Sequence, residues 1–217
     1  MRQEKKFRRL WDRFGPWLIG LAVLIVIGTG GYRGWIYWQE TQSRSAGDKF
    51  FEAVRLSEAQ NYQEAAEMYG ELEGALGGYP ALAQMRRATD LANASQNEEA
   101  LAEFDALSAD SSLRDALRNA AALRAGYLAV DLEDYAGVAD RVEKLTGDTG
   151  SFRAAARELL ALSAWKKNGD IETAQQWITA LEEDPETPSE VSRRVSLLAD
   201  VIRANNGEAK ADSEGNN

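Results

Sequence analysis

The segment QNEEALAEFDAL, Gln96–Leu107, carries an alanine, a ring and a leucine at Ala100, Phe104 and Leu107. Offsets of four and three place all three on one face of a helix. Three further segments align with it without gaps: NYQEAAEMYGEL (61–72), DYAGVADRVEKL (134–145) and DIETAQQWITAL (170–181). The first column then reads Ala65, Ala100, Val138 and Ala174, at steps of 35, 38 and 36. Tyr69, Phe104, Val142 and Ile178 form the second column, and Leu72, Leu107, Leu145 and Leu181 the third. Twelve residues before the first column stand Ala53, Ala88, Gly126 and Leu162; nine before it stand Leu56, Leu91, Ala129 and Trp165. A period of this length marks a stack of helix pairs, since one pair cannot bury such a face alone.

Each unit reads as a helix A, a short polar turn and a helix B. The turns are Ala59–Asn61, Ser95–Asn97, Asp131–Asp134 and Asn168–Asp170, whose Asn and Asp suit the cap of helix B. Small residues in helix A let helix B approach, the bulkier second column fills the gap, and the leucine reaches the next pair. Pro80, Pro185 and Pro188, with Gly77-Gly78, fall between units. Ser189–Ala204 is expected to close the array as a capping helix with polar Glu190, Arg193 and Arg194 outward, and Asn205–Asn217 to be disordered. The small/aromatic spacing resembles the tetratricopeptide repeat. It departs from that pattern in its longer unit, in the missing early aromatic of helix A and in the leucine that replaces the usual late alanine of helix B. The third unit is the poorest match.

Ahead of the repeats, Phe14–Tyr32 (FGPWLIGLAVLIVIGTGGY) holds nineteen residues without a charge. As a helix it is about 28 Å long, the hydrocarbon thickness of a bilayer. Trp11, Trp17, Tyr32, Trp35, Tyr37 and Trp38 flank its ends. The stretch with its flanks, 14–38, is therefore expected to be a transmembrane helix. A cleaved signal peptide is the rival reading, and it is opposed by the bulky aromatics beyond Gly28 and by the lack of a good small-residue cleavage site before Ser43-Arg44-Ser45. Gly30-x-x-x-Gly34 matches a small-xxx-small packing pattern.

Charge points the same way. Residues 1–13 hold Arg2, Lys5, Lys6, Arg8, Arg9 and Arg13 against Glu4 and Asp12, a net of +4 within a chain of formal charge −10. With Arg33 set aside, residues 34–217 carry −15. This asymmetry predicts a cytoplasmic tail (1–13) and a repeat domain (39–204) on the far side. So acidic a domain is not expected to bind nucleic acid. The basic tail with LWDRFGPWLIG, a helix ending GGYRGWIYW and a degenerate acidic repeat array are together similar to the YfgM-like family of bacterial inner-membrane proteins. That resemblance implies an ancillary subunit of the SecYEG translocon, with a periplasmic domain that holds exported client proteins as a passive chaperone in an acidic groove. The alternatives are a tetratricopeptide scaffold for cell-envelope assembly or division, and a cytosol-facing organelle receptor.

The sequence offers no catalytic constellation. There is no cysteine and no histidine, which removes the usual nucleophile–base pairs and the commonest metal ligand. Gly28–Gly34 follows no strand and is not a phosphate loop. Glu98-Glu99 and Glu182-Glu183-Asp184 are acidic pairs of the kind a glycosidase uses, but dispersed acids on helices are ordinarily a solvated face. Tyr69, Phe104 and Trp165 are expected in the core, as is Trp177 beside Ile178. No catalytic, cofactor or metal residue is nominated, and the outward positions of each helix A are where binding is expected. The fold class is all-α: one spanning helix, then about four helix hairpins and a capping helix.

Overall fold

The computed structural model describes residues 4–214, with side chains described at 17, 20, 21, 23–166 and 169–205. The described secondary structure is entirely helical. It comprises α1 (Glu4–Glu58), α2 (Tyr62–Gly70), α3 (Tyr79–Asn93), α4 (Asn97–Ala109), α5 (Asp115–Leu132), α6 (Tyr135–Val142), α7 (Arg153–Asn168), α8 (Ile171–Glu182) and α9 (Ser189–Glu214). A short 3-10 turn, Glu143–Leu145, extends α6. Each helix packs on the next along the chain, and α1 also meets α3, α5 meets α7, and α7 meets α9. The odd-numbered helices are thus the A helices of four hairpins, α2, α4, α6 and α8 are the B helices, and α9 covers the last pair.

The columns read from the sequence are the core. Ala65, Ala100, Val138 and Ala174 are all buried, as are Tyr69, Phe104, Val142 and Ile178 and the four leucines Leu72, Leu107, Leu145 and Leu181. In the A helices Ala53, Ala88 and Gly126 are buried and Leu162 is half-buried. The Phe50 ring meets Tyr69 edge-on at 5.4 Å and tilts against Tyr79 at 5.9 Å, closing the first hairpin. Trp177 packs partly buried against both large clusters, and its Nε1 donates to Tyr135 Oη at 3.0 Å, tying α8 to α6.

The turns follow a backbone rule that the polar composition only hinted at. Gln60, Ser95 and Gly169 occupy equivalent positions and all take left-handed φ, at 65°, 66° and 60°. The next N–H then returns to helix A: Asn61 to the Leu56 carbonyl at 2.9 Å, Gln96 to Leu91 at 2.8 Å and Asp170 to Ala164 at 3.0 Å. This reversal satisfies terminal carbonyls that would otherwise lack partners. The third unit instead closes through extended Glu133, φ −123°. Among the described residues, the side chains that cap a B helix are Asp134, which accepts from the Gly137 N–H, and Asp170, which accepts from the Thr173 N–H. Asn61 does not cap through its side chain, and Gln96 stands at the second cap. Pro80 lies in the first turn of α3, where its missing N–H costs nothing, so it starts a helix.

The N-terminal expectation is corrected. Among the described residues, no helix is long and apolar enough to cross a membrane. Residues 14–16, 18, 19 and 22 of the expected span lie outside the described side chains, as do those of the basic tail 1–13. The 14–38 segment is instead part of α1, a single helix of 55 residues whose Ser43–Glu58 end serves as helix A of the first hairpin. At Gly30 and Gly34 an added Cβ would meet nothing, so neither packs against this chain. With the anchor go the inner-membrane topology, the periplasmic placement, the YfgM-like identification and the SecYEG partnership and exported clients drawn from it. The far end differs too: α9 continues through Glu214 instead of giving way to disorder at Asn205. Glu208, Ala209, Lys210, Ala211 and Glu214 in that stretch are good helix formers.

Gly126 shows how tightly the columns are fitted. A Cβ there would lie 2.6 Å from Val142 Cγ1 and 3.2 Å from Leu159 Cδ1. Val142 is β-branched and buried, so it cannot swing aside. Gly126→Ala gains about 1 kcal/mol of helix propensity but overpacks the joint between α5, α6 and α7 by about 1–3 kcal/mol. The expected outcome is a lower urea midpoint at unchanged m-value; a raised midpoint would show that this contact is slack.

Candidate binding face

Successive A helices are joined by polar contacts that repeat with the array. Ser57 Oγ on α1 donates to Asp90 Oδ1 on α3 at 2.7 Å, and Arg124 Nη1 on α5 donates to Thr89 Oγ1 at 3.2 Å. Lys166 on α7 pairs with Asp131 on α5. Arg194 on α9 forks onto Glu158 on α7, Nε to Oε1 at 2.5 Å and Nη2 to Oε2 at 2.6 Å. The sequence separations are 33, 35, 35 and 36, the repeat length itself. On the other side, Arg141 of α6 forks onto Asp105 of α4 with both contacts at 2.8 Å and also holds Glu133, which raises its already high pKa.

These links leave one continuous face on α1, α3, α5 and α7. Phe51, Leu82 and Tyr127 are 65%, 49% and 49% exposed there. Arg86 and Arg124 are also exposed, and neither forms an ion pair among the described residues. Phe51, Arg86 and Arg124 occupy equivalent positions, each two residues before the small column, so the face was encoded in the same alignment as the core. Tyr127 sits by the Glu158–Arg194 pair, and its pKa is raised by partial burial first and by the Glu158 charge second.

Charge is partitioned between the two helix sets. In α3, α5 and α7, Arg86, Arg87, Arg118, Arg124, Arg153, Arg157, Lys166 and Lys167 stand against Asp90, Asp115, Asp131 and Glu158, a net of +4. In α2, α4, α6 and α8, Glu64, Glu67, Glu98, Glu99, Glu103, Asp105, Asp140, Glu172 and Glu182 stand against Arg141 alone, a net of −8. The acidic groove expected from overall charge is therefore corrected: the acid lies on the B helices. The acidic pairs singled out in the sequence are placed accordingly. Glu98 and Glu99 are exposed in the first turn of α4. Asp184 receives Arg153 at 2.6 and 3.1 Å and Arg157 at 3.2 Å, and the Arg153 bonds with the Glu186 N–H hold its pKa at about 2. It is a structural anchor for the end of α8.

A cleft of about 540 Å³ between α2, α3 and α4 is lined by Gln84, Arg87, Glu99 and Glu103 among others. Arg87 pairs with Glu103 there at 2.5 Å and Gln84 donates to the same carboxylate at 2.9 Å. Tyr69 Oη, also in the lining, has no hydrogen-bond partner among the described residues.

The architecture defines a class: an α-solenoid of stacked helix hairpins, whose A-helix face is the surface on which such arrays engage other molecules. Within that class, the model of the tetratricopeptide repeat-like domain matches residues 8–191, and the chain belongs to that family. No curated protein matches the chain. No solved structure matches it.

Asp90 is the strained point of this face. It is 2% exposed at the joint of α1 and α3, and its Oδ2 and the nearby Tyr69 Oη both lack a hydrogen-bond partner among the described residues. Burial raises its pKa against the lowering by Ser57, Asn93 and Arg86, and Tyr69 is raised by its own burial first and by the Asp90 charge second. A carboxylate with a raised folded pKa destabilises while charged, and that penalty fades as pH falls through the folded pKa toward the ordinary carboxylate range. Asp90→Asn keeps the Ser57 acceptor and offers an N–H₂ where Oδ2 stands. It is expected to stabilise the chain at pH 7 by about 1 kcal/mol or more, about 2–4 °C in Tm. The gain over wild type should shrink toward pH 4; a pH-independent difference would remove the titration of Asp90 as its cause.

Proposed function

We propose that this chain is a non-catalytic protein-binding module that holds its partner along the A-helix face. The reading rests above all on Phe51, Leu82 and Tyr127, large apolar side chains that three consecutive A helices leave exposed. Apolar side chains of this size lined up on a solvated surface are the usual mark of a protein contact. The family membership agrees with it, because tetratricopeptide-like arrays present an extended inner surface. Of the functions considered from the sequence, the tetratricopeptide scaffold is the one these observations favour. Acidic residues remain dispersed or engaged in structural pairs, which supports a binding role over a hydrolytic one.

A photo-crosslinking residue placed at Tyr127 should capture a protein partner in cells of the source organism. The same residue at Gln175, on the outer face of α8, should not. Adducts formed from Gln175 and absent from Tyr127 would put the binding surface on the B helices and overturn the reading.

A further inference from the structure

We infer that the cleft between α2 and α4, on the B-helix side of the array, receives an arginine side chain of a basic partner segment. Successive B helices meet at a joint that recurs with the repeat. At two of these joints the eighth residue of an aligned segment reaches across to the helix before. Arg141 of α6 bonds to Asp105 of α4, with both contacts at 2.8 Å, and Trp177 of α8 donates to Tyr135 of α6 at 3.0 Å. In α4 that eighth residue is Glu103, and Gly70 of α2 stands where α4 has Asp105. Gly70 offers no side chain to meet, and Glu103 turns instead to Gln84 and Arg87 of α3. The joint stays open as the cleft of about 540 Å³. That volume falls in the range of about 300–1,000 Å³ that ligand sites occupy.

The neighbouring joint shows which group is missing. There the Arg141 guanidinium lies between Asp105 and Glu133. Here Glu73 and Glu99 line the cleft, are exposed, and form no ion pair among the described residues, while Glu103 is answered by Arg87. Tyr69, 1% exposed, is in the lining with its Oη unpartnered among the described residues. Such a hydroxyl gains from an incoming N–H. A guanidinium carries several donors in one plane and can serve more than one acid at once, as Arg141 does. Leu91, Ala102 and Ala106 give its aliphatic stem an apolar wall. The −8 summed over the B helices draws a basic chain to this side of the molecule.

The test is fluorescence anisotropy of a labelled tetra-arginine peptide with the full chain at low salt. Binding is expected, and it should weaken as salt rises. Affinity should fall about tenfold in Glu73→Gln/Glu99→Gln, and by under about twofold in Glu172→Gln/Glu182→Gln, which removes the same charge from α8. Ala106→Trp, which fills the cleft from an exposed position of α4, should also abolish binding. An unchanged urea midpoint separates loss of the site from loss of the fold; should the tryptophan disturb folding, the Glu73/Glu99 variant decides alone. Equal weakening by the two paired variants would make the peptide a ligand of the whole acidic surface and overturn the cleft, as would the absence of binding. A tetra-lysine peptide held as tightly would overturn guanidinium recognition. Free argininamide matching the tetra-arginine peptide would make the ligand a small molecule and overturn the protein segment. Crosslinking at Tyr127 reads the A-helix face independently of all these outcomes.

Discussion

The structure depends on how closely each B helix can approach its own A helix and the next one. Ala53, Ala88 and Gly126 on the A helices, and Ala65, Ala100 and Ala174 on the B helices, are buried and present almost no side chain. That closeness is what lets one ring or branched side chain, Tyr69, Phe104, Val142 or Ile178, fill the remaining space. It also explains why the hairpin is not a stable unit alone. Leu72 packs in one cluster with Ala46 and Ala53 of its own A helix and Ala83 of the next, so burial is completed between neighbours. At Gly126 the column shrinks by a methyl, because Val142 and Leu159 already occupy the volume a methyl would take.

Once packing fixes the distance between A helices, polar contacts recur at the same spacing. Ser57–Asp90, Thr89–Arg124, Asp131–Lys166 and Glu158–Arg194 join consecutive A helices across 33 to 36 residues. Exposed pairs of this kind are worth little individually. On the exposed A-helix side they engage Asp131 and Glu158, while Arg86 forms no ion pair among the described residues. The buried polar links are different. Arg157 is almost wholly enclosed and spends its donors on the Thr146 and Ala180 carbonyls and on Asp148 and Asp184, pinning the irregular loop before α7. A guanidinium so enclosed is tolerable because its donors are answered.

What could be read from the sequence was whatever the packing period controls. All twelve B-helix column positions were legible because burial demands a small, a bulky and a leucine side chain at fixed offsets. The positions Phe51, Arg86 and Arg124 were on the same alignment, two residues before the small column, yet they follow no shared chemistry, so periodicity did not mark them. Left-handed Gln60 and Ser95 were hidden for a different reason: the turn is imposed by the helices on either side, and a non-glycine residue accepts it at a local cost. The reading of 14–38 as an independent spanning segment treated hydropathy as a local property. Within α1 the stretch is continuous with a helix whose last sixteen residues belong to the first hairpin.

The same distinction between composition and placement governs the electrostatics. A formal charge of −10 suggests a surface that repels anything acidic, and at long range it does. Screening over about 8–10 Å at physiological salt means that a bound segment feels only the helices it touches. The sequences of α3, α5 and α7 sum to +4 and those of the B helices to −8, but Arg153 and Arg157 are spent on Asp184, so the exposed cations of the A face without an ion pair among the described residues are Arg86 and Arg124. The difference arises because helix B buries its small and bulky columns on one side and gives its other side to glutamate, while helix A must keep cations to neutralise the acids of its neighbours. The array thus acquires a polar cross-section from the rules that let it stack, and the sign of each exposed face is set by which helix supplies it.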